Sequence, residues 1–408
     1  MVSRELVSQI TPLFCALESK ASIDVVSYLL DNDPDAMTLE SYKLGRTPIH
    51  IAAARGATID VMQLLIRLRP EAVHEKDAWG KTPFACACAA VTEFNDSENN
   101  AYVSELLHLL KDNKTISDPD RSGMLPLHIA CASGMSIENV EYLLDEYPEA
   151  ICTPDNNGRL PFHAACTKNS ISTDVLDLLA AAFPEALRTF DKQGAVPLHI
   201  ALQRKLPSEI ILYLIDKEVG AVRTREASTQ MYPLHIAAKA SADTTVLERL
   251  ADIYPKAIDS VDSKGNTIFH LACTFRQLTV EFAEVLLDRC DPDTVRKVNE
   301  DGCLPLHVAV QHRASWPVLR LLIDLHPEAL VYKDKKGNVP LHKAFQTSTE
   351  ILTLVRLAQE NHHQLSKRNK RGYRPMECAS PIVQKKFRRA RYWYNLRKAY
   401  CPICIRAK

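Results

Sequence analysis

The sequence predicts an all-α solenoid of stacked helix–turn–helix units, and three observations predict it. A Pro-apolar-His tripeptide recurs at a near-constant interval; an Asp-x-x-Gly quartet precedes most copies; an amphipathic helical pattern closed by Pro follows them. Self-similarity at a fixed period of about 20–50 residues marks repeat architectures, in which one supersecondary unit is copied along the chain.

The tripeptide reads PIH at Pro48, PLH at Pro126, PFH at Pro161, and PLH at Pro197, Pro233, Pro305 and Pro340. Degenerate copies stand at Pro12, Pro83, Ile268 and Pro375, with successive spacings of 36, 35, 43, 35, 36, 36, 35, 37, 35 and 35 residues. Eleven units, the first and last degenerate, therefore tile residues 11–380, leaving a flank of residues 1–10 and a tail of residues 381–408.

Each unit opens with a turn. Asp precedes Gly by three at Asp77/Gly80, Asp120/Gly123, Asp155/Gly158, Asp191/Gly194, Asp262/Gly265 and Asp334/Gly337, with Asn299/Gly302 and Asn369/Gly372 as variants. An Asx side chain can bond the backbone ahead of it, and Gly tolerates positive φ. The Pro after the turn suits the first position of a helix, where its missing N–H is no loss. A short first helix follows, such as residues 126–134. An amphipathic second helix comes next, carrying Ile137, Val140, Leu143 and Leu144 at helical spacing. Pro148, Pro184, Pro255 and Pro327, in the phrases YPEA, FPEA, YPKA and HPEA, stand where a helix must stop. Two units depart from this grammar. The turn before Pro233 reads Ala227-Ser228-Thr229-Gln230, without Asp or Gly; simple drift explains it, and the alternative is a looser turn that forms a bend or a partner's entry point. The unit at Pro83 is long, and its insertion, Glu93 to Asn100, is expected to be a mobile acidic loop between the two helices.

Composition excludes several classes. The 408 residues are 46% hydrophobic and 25% charged, ordinary for a chain that buries a core. Glycine is scarce at 12 residues, so flexible linkers are few. Arg4 and Glu5 stand where a signal peptide needs apolar residues, and no apolar run reaches the roughly 18 residues of a membrane span. Twelve cysteines without a secretory signal imply free thiols in a reducing compartment. The expected location is the cytoplasm, with the nucleus open through a basic import-like run, Lys385 to Arg391. Net charge is zero, yet residues 381–408 hold nine Lys and Arg and no Asp or Glu, so the rest of the chain carries −9.

Turn, helix, loop and helix at this period resemble the ankyrin repeat, whose phrase T-P-L-H-x-A is nearest at Thr47-Pro48-Ile49-His50-Ile51-Ala52. Most copies here replace the Thr by an apolar residue: Leu125, Leu160, Val196, Leu304 or Val339. The resemblance implies an extended, curved superhelix that grips other proteins with its turn tips and the helices of its concave face. A unit of this size cannot bury its apolar side alone, so neighbours bury it for one another. With residues 11–380 so occupied, no catalytic domain fits, and no phosphate-binding, dinucleotide, zinc-protease, hydrolase-elbow or kinase motif is present. No catalytic residue, metal site, cofactor or small-molecule substrate is expected, and the chain is expected to be a monomer.

Several residues that invite a functional reading also have a structural one. His50, His128, His163, His199, His235, His270, His307 and His342 recur at one place in the unit, where the resemblance implies hydrogen bonds tying turn to helix. Cys131, Cys166 and Cys273 fall where Ala53 and Ala238 fall in other copies, a small core slot, and Cys86 and Cys88 are expected to be packing residues. The residues between Asp and Gly vary freely and are the candidate partner contacts: Trp79, Arg121, Ser122, Asn156, Asn157, Lys192, Gln193, Lys264, Lys335, Lys336, Lys370 and Arg371. Trp79 is a large apolar group with no evident core to join, which suits a binding hot spot or a neighbouring turn.

The tail gives the alternatives. Val383, Phe387, Ala390 and Tyr394 form an apolar stripe beside Lys385, Lys386, Arg388, Arg389 and Arg391. A basic amphipathic helix can close the last unit, bind calmodulin, lie on an acidic membrane or contact nucleic acid. Val383, Gln384 and Arg388 weakly resemble an IQ-type calmodulin motif, although Arg389 and Trp393 break it. Cys401-Pro402-Ile403-Cys404 looks like half of a RING-type or ribbon zinc site, as in a truncated zinc-dependent ubiquitin ligase component, but zinc needs four ligands. The expected function is a non-catalytic interaction scaffold or adaptor for other proteins.

Overall fold

A computed structural model describes residues 11–39, 41, 44–90, 97–169, 171–274, 279–347 and 350–400, apart from the side chains of 97–100 and 393–400. The chain divides into two compact bodies, Met1–Glu218 and Val219–Lys408. Each is an array of helix pairs and the described residues contain no β-strand, as the sequence predicts.

In the N-terminal body the pairs are α1 (Pro12–Glu18) with α2 (Ile23–Asn32), α3 (Pro48–Arg55) with α4 (Ile59–Leu68), and α5 (Pro83–Ala89) with α6 (Ser97–Leu110). A short α7 (Asn113–Ser117) follows, then α8 (Pro126–Ser133) with α9 (Ile137–Glu146), α10 (Pro161–Ala165) with α11 (Thr173–Ala182), and α12 (Pro197–Arg204) with α13 (Ser208–Lys217). The C-terminal body holds α14 (Pro233–Ala240) with α15 (Thr244–Ile253), α16 (Ile268–Ala272) with α17 (Val280–Leu287), α18 (Pro305–Gln311) with α19 (Trp316–Leu325), and α20 (Pro340–Gln346) with α21 (Ile351–Glu360). A 3-10 turn, Pro375–Cys378, precedes the long α22 (Pro381–Tyr400).

The two helices of a unit are buried differently. α8 lies between α5 and α10, and Pro126 through Cys131 are all buried. It is apolar all round because it has neighbours on both sides. α9 buries only Asn139, Val140, Leu143 and Leu144 and shows the rest of its surface to water, so it is amphipathic. Most second helices end in a backbone kink leading into a single 3-10 turn that starts at Pro, as in Pro148–Cys152, Pro184–Arg188 and Pro327–Val331. Pro both stops the helix and opens this turn, whose central alanines Ala150, Ala186 and Ala329 are at most 2% exposed.

The turns have the predicted chemistry. Asp191 Oδ1 accepts from the N–H of Gln193 at 2.9 Å and of Ala195 at 2.8 Å, while Gly194 N–H donates to the Asp191 carbonyl at 2.9 Å. Gly194 has φ +76°, in the left-handed region that side chains resist. Asp155, Asp262, Asp334 and Asn369 repeat the pattern.

Two expectations change. Ser97 to Asn100 are not part of a loop: α6 starts at Ser97 and runs 14 residues, where most second helices run ten. Residues 93–96 of the insertion lie outside the described residues. Half of the added length therefore prolongs a helix, because extending an existing helix adds one backbone bond per residue with no new nucleus. The turn before Pro233 is closed rather than loose. Glu226 takes the Asp place, 6% exposed, and Gln230 takes the Gly place at φ +58°. The turn is one residue longer, Gln230 N–H reaches back to the Glu226 carbonyl at 2.8 Å, and the Thr229 hydroxyl meets the longer Glu226 carboxylate.

Glycine in these turns serves two separate needs. A Cβ on Gly123 would stand 2.7 Å from the backbone N of Asn156 in the next turn, whereas at Gly372, φ +84°, it would meet nothing within 4 Å. Gly372→Ala should therefore cost only the left-handed penalty of roughly 1–2 kcal/mol. Gly123→Ala should cost clearly more, because the next turn must move. Urea unfolding of the two variants checks this, and equal losses would refute the stacking argument.

Candidate partner-binding surface

The surface rests on a buried frame built by the repeat histidines. All eight are 0% exposed. His50 Nδ1 accepts the backbone N–H of Thr47 at 3.3 Å, and the same bond joins Leu125 to His128, Val196 to His199, Thr267 to His270 and Leu304 to His307. Since Nδ1 is an acceptor, the proton sits on Nε2, which donates to a carbonyl of the next turn. The partners are Lys81 at 3.0 Å, Arg159 at 2.9 Å, Thr189 at 3.0 Å, Cys303 at 2.8 Å, Asn338 at 3.2 Å and Tyr373 at 3.1 Å. Each of these six imidazoles thus caps its own helix and anchors the following turn. Burial lowers the pKa of His50, His128, His163 and His342, and brings that of His235, His270 and His307 down to about 4. The buried thiols are pushed the other way by desolvation, Cys86 to about 11 and Cys131 and Cys273 to about 12, so they are protonated packing groups.

Above this frame a ladder of backbone bonds runs from turn to turn. In the N-terminal body Ala78 N–H donates to Leu44 O at 2.7 Å, Arg121 to Trp79 at 2.8 Å, Asn156 to Ser122 at 2.9 Å and Lys192 to Asn157 at 2.8 Å. In the C-terminal body Ser263 donates to Thr229 at 2.8 Å, Glu300 to Lys264 at 3.0 Å, Lys335 to Asp301 at 3.0 Å and Lys370 to Lys336 at 3.1 Å. This ladder holds the tips in register whatever their side chains are.

Every candidate contact residue named from the sequence is exposed, in two separate rows. Trp79, Arg121, Ser122, Asn156, Asn157, Lys192 and Gln193 line the N-terminal body; Lys264, Lys335, Lys336, Lys370 and Arg371 line the C-terminal one. Some are already engaged. The Arg46 guanidinium lies 5.3 Å from the Trp79 ring centroid and 3.2 Å from Asp77, leaving Trp79 49% exposed. Asn156 Nδ2 donates to the Arg121 carbonyl at 2.9 Å, and Lys192 Nζ to the Asn156 carbonyl at 2.8 Å. Sequence reasoning missed the residue just before the turn Asp or Asn, where Phe190, Val261 and Val298 are 52%, 38% and 41% exposed. The signal was present: an apolar residue recurs there without helical spacing. It also missed Lys333, Lys367, Arg368 and Arg374, which flank the last two turns and are exposed.

The tail helix α22 packs on α21, and Phe387, 1% exposed, meets Phe345 edge to face at 4.9 Å between ring centroids. Lys385, Lys386, Arg388 and Arg389 are exposed, Arg391 is half-buried, and Val383 and Ala390 flank Phe387 half-buried. The Tyr394 and Trp393 side chains and the Cys401 and Cys404 pair lie outside the described residues. Among the described residues no three His, Cys, Asp or Glu side chains are grouped as a metal site requires, and no helix is long and apolar enough to cross a membrane.

Two measurements test this geometry. The unfolded chain takes up protons at its histidines near pH 6.5, whereas the buried ones stay neutral down to about 4 in the cases of His235, His270 and His307. Their stabilisation is thus complete above pH 6.5 and is lost as pH falls toward 4, by about 1.4 kcal/mol per pH unit for each histidine. His270→Gln should show a correspondingly shallower fall in urea midpoint between pH 6.5 and 4.5; an unchanged slope would exclude a neutral His270. Phe387→Ala should destabilise the C-terminal body by about 3–5 kcal/mol, while Lys386→Ala stays within about 0.5 kcal/mol. Hydrogen exchange of α21 and α22 distinguishes them.

The sequence profile of ankyrin repeats, in three copies, matches residues 13–95, 49–153, 95–185, 198–296 and 234–333, overlapping segments that together cover well over half of the chain. The turn bonds and helix-capping histidines continue past residue 333, through His342 and Asn369. Repeats of this kind are generally protein–protein interaction modules, and this chain is a member of the ankyrin-repeat family.

Proposed function

We propose that the protein is a non-catalytic scaffold or adaptor that binds other proteins through its turn tips and the first-helix surface beside them. The observation that carries this is the separation between frame and tip. Histidine, Asp, Gly and backbone bonds fix where each tip stands, so the side chains there are free to differ, and each is exposed. A rigid row of variable side chains binds without first being ordered, which removes a main cost of association. We read α22 as the closing helix of the array. Phe387, at the centre of its apolar stripe, is buried against Phe345 of α20, whereas calmodulin or a membrane surface would need that stripe free. A monomer in the cytosol or nucleus fits the ten free thiols found among the described residues.

The test compares proteins captured by the full chain with those captured by a variant carrying Trp79→Ala, Lys335→Ala and Lys336→Ala. The expected result is loss of at least one stoichiometric partner with an unchanged circular dichroism spectrum. Survival of every partner would overturn the tips as the contact face.

A further inference from the structure

We propose that the last two turns of the C-terminal body form a docking ridge for a short acidic segment of a partner protein. This deepens the reading of the tips as contact surfaces and rests on it.

The ridge is an uncompensated cationic cluster. Lys333, Lys335 and Lys336 are exposed on one turn, and Lys367, Lys370, Arg371 and Arg374 on the next. Their turns contain few carboxylates. Asp334 is 5% exposed and caps its own turn, with Lys343 Nζ at 3.5 Å, and Glu377 faces Arg368 at 3.8 Å. None of the seven forms an ion pair with a described carboxylate. Elsewhere exposed cations do find partners: Lys76 with Asp118 at 2.6 Å, Lys217 with Asp177 at 2.6 Å, Arg320 with Glu360 at 2.7 Å. Like charges on adjacent turns raise the free energy of the unbound surface, and a complementary anion relieves it.

The cations are also held in place. A Cβ on Gly302 would stand 3.1 Å from Lys335 Cγ, and one on Gly337 would stand 3.0 Å from Lys370 Cγ. Each lysine stem therefore starts across the glycine of the preceding turn, so the two ammonium groups are launched in parallel, one turn apart. The ladder bonds at Lys335 and Lys370 fix the backbone beneath them. Little ordering is left for a ligand to impose.

Length and chemistry of the occupant follow from the borders. Exposed Glu300 and Asp301 occupy the turn before, so a uniformly anionic strand continuing along the row would meet like charge. Two turns are favourable, and the third opposes. Val331, Tyr332 and Tyr373, 44%, 41% and 52% exposed, place apolar surface among the cations, which suits a peptide with apolar side chains between its carboxylates. Residues 331–408 hold 19 of the 50 Lys and Arg but four of the 50 Asp and Glu, a balance of +15 against −15 for residues 1–330, so anionic ligands are steered to this end of the sequence.

The test uses the full chain and a fluorescein-labelled peptide of three Glu-Glu-Leu-Ser repeats, read by anisotropy at about 150 mM salt, where exposed charges are screened beyond about 8 Å. Saturable binding is expected, weakened at least about tenfold by Lys335→Glu, Lys336→Glu, Lys370→Glu and Arg371→Glu together. Arg121→Glu with Lys192→Glu, in the N-terminal row, should leave it unchanged. If the fourfold variant loses its helical spectrum, Lys335→Gln with Lys370→Gln replaces it, with a smaller loss expected. Absence of saturable binding, equal or tighter binding of a single-stranded 12-mer oligonucleotide, or self-association of the chain abolished by the variant would each overturn the proposal. If the peptide fails while the Trp79, Lys335 and Lys336 variant still loses its partners, the acidic ligand is wrong and the tip reading stands.

Discussion

The structure of each body depends on one buried histidine repeated at a fixed place. Its two ring nitrogens do different work. One accepts from the backbone at the start of its own helix, and the other donates to the carbonyl of the next turn, as His128 does toward Leu125 and Arg159. A neutral imidazole satisfies both polar groups in a water-free setting, and burial keeps it neutral. The price of a polar ring in a core is thereby met by two bonds, one of which crosses to the next unit.

This arrangement explains how the units tolerate drift. The ladder bonds from turn to turn run between backbone groups, so they survive changes of side chain. The turn at Glu226 is one residue longer and lacks both Asp and Gly, yet Ser263 still donates to Thr229 at 2.8 Å. Helix α6 is longer than its counterparts, yet Leu106, Leu107 and Leu110 remain buried where a second helix belongs. What cannot drift is the space between turns. Gly123 and Gly337 lie under the backbone of the next turn, and a side chain there would push the stack apart.

Function follows from what the frame leaves free. The buried elements take the eight repeat histidines, six of the ten described cysteines and five of the turn aspartates, and they use them for caps, packing and turns. The exposed positions are simple by contrast: lysine, arginine, asparagine and glutamine at tips whose spacing is set below them. Recognition by such a surface depends on which charges stand next to one another, and that is a property of neighbouring units rather than of any single motif.

The sequence alone determined the period and the roles of Pro, Asp, Gly and His, because those residues answer local demands that each unit makes on itself. A helix start, a positive φ and an Asx turn are settled within six residues, and the copies repeat them. The exposed character of Lys335 or Asn156 could be read for the same reason. Tertiary structure decided what depends on the neighbour. It turned Ser97 to Asn100 into helix, and let Glu226 and Gln230 close a turn with no consensus residue. It also buried Phe387 of a strongly basic segment against Phe345 and aligned the stems of Lys335 and Lys370 over the preceding glycines. For Phe387 and the two lysine stems the deciding contact joins residues from different parts of the chain, and the energy of such a contact is set by distance in space, to which a pattern of local spacing is blind.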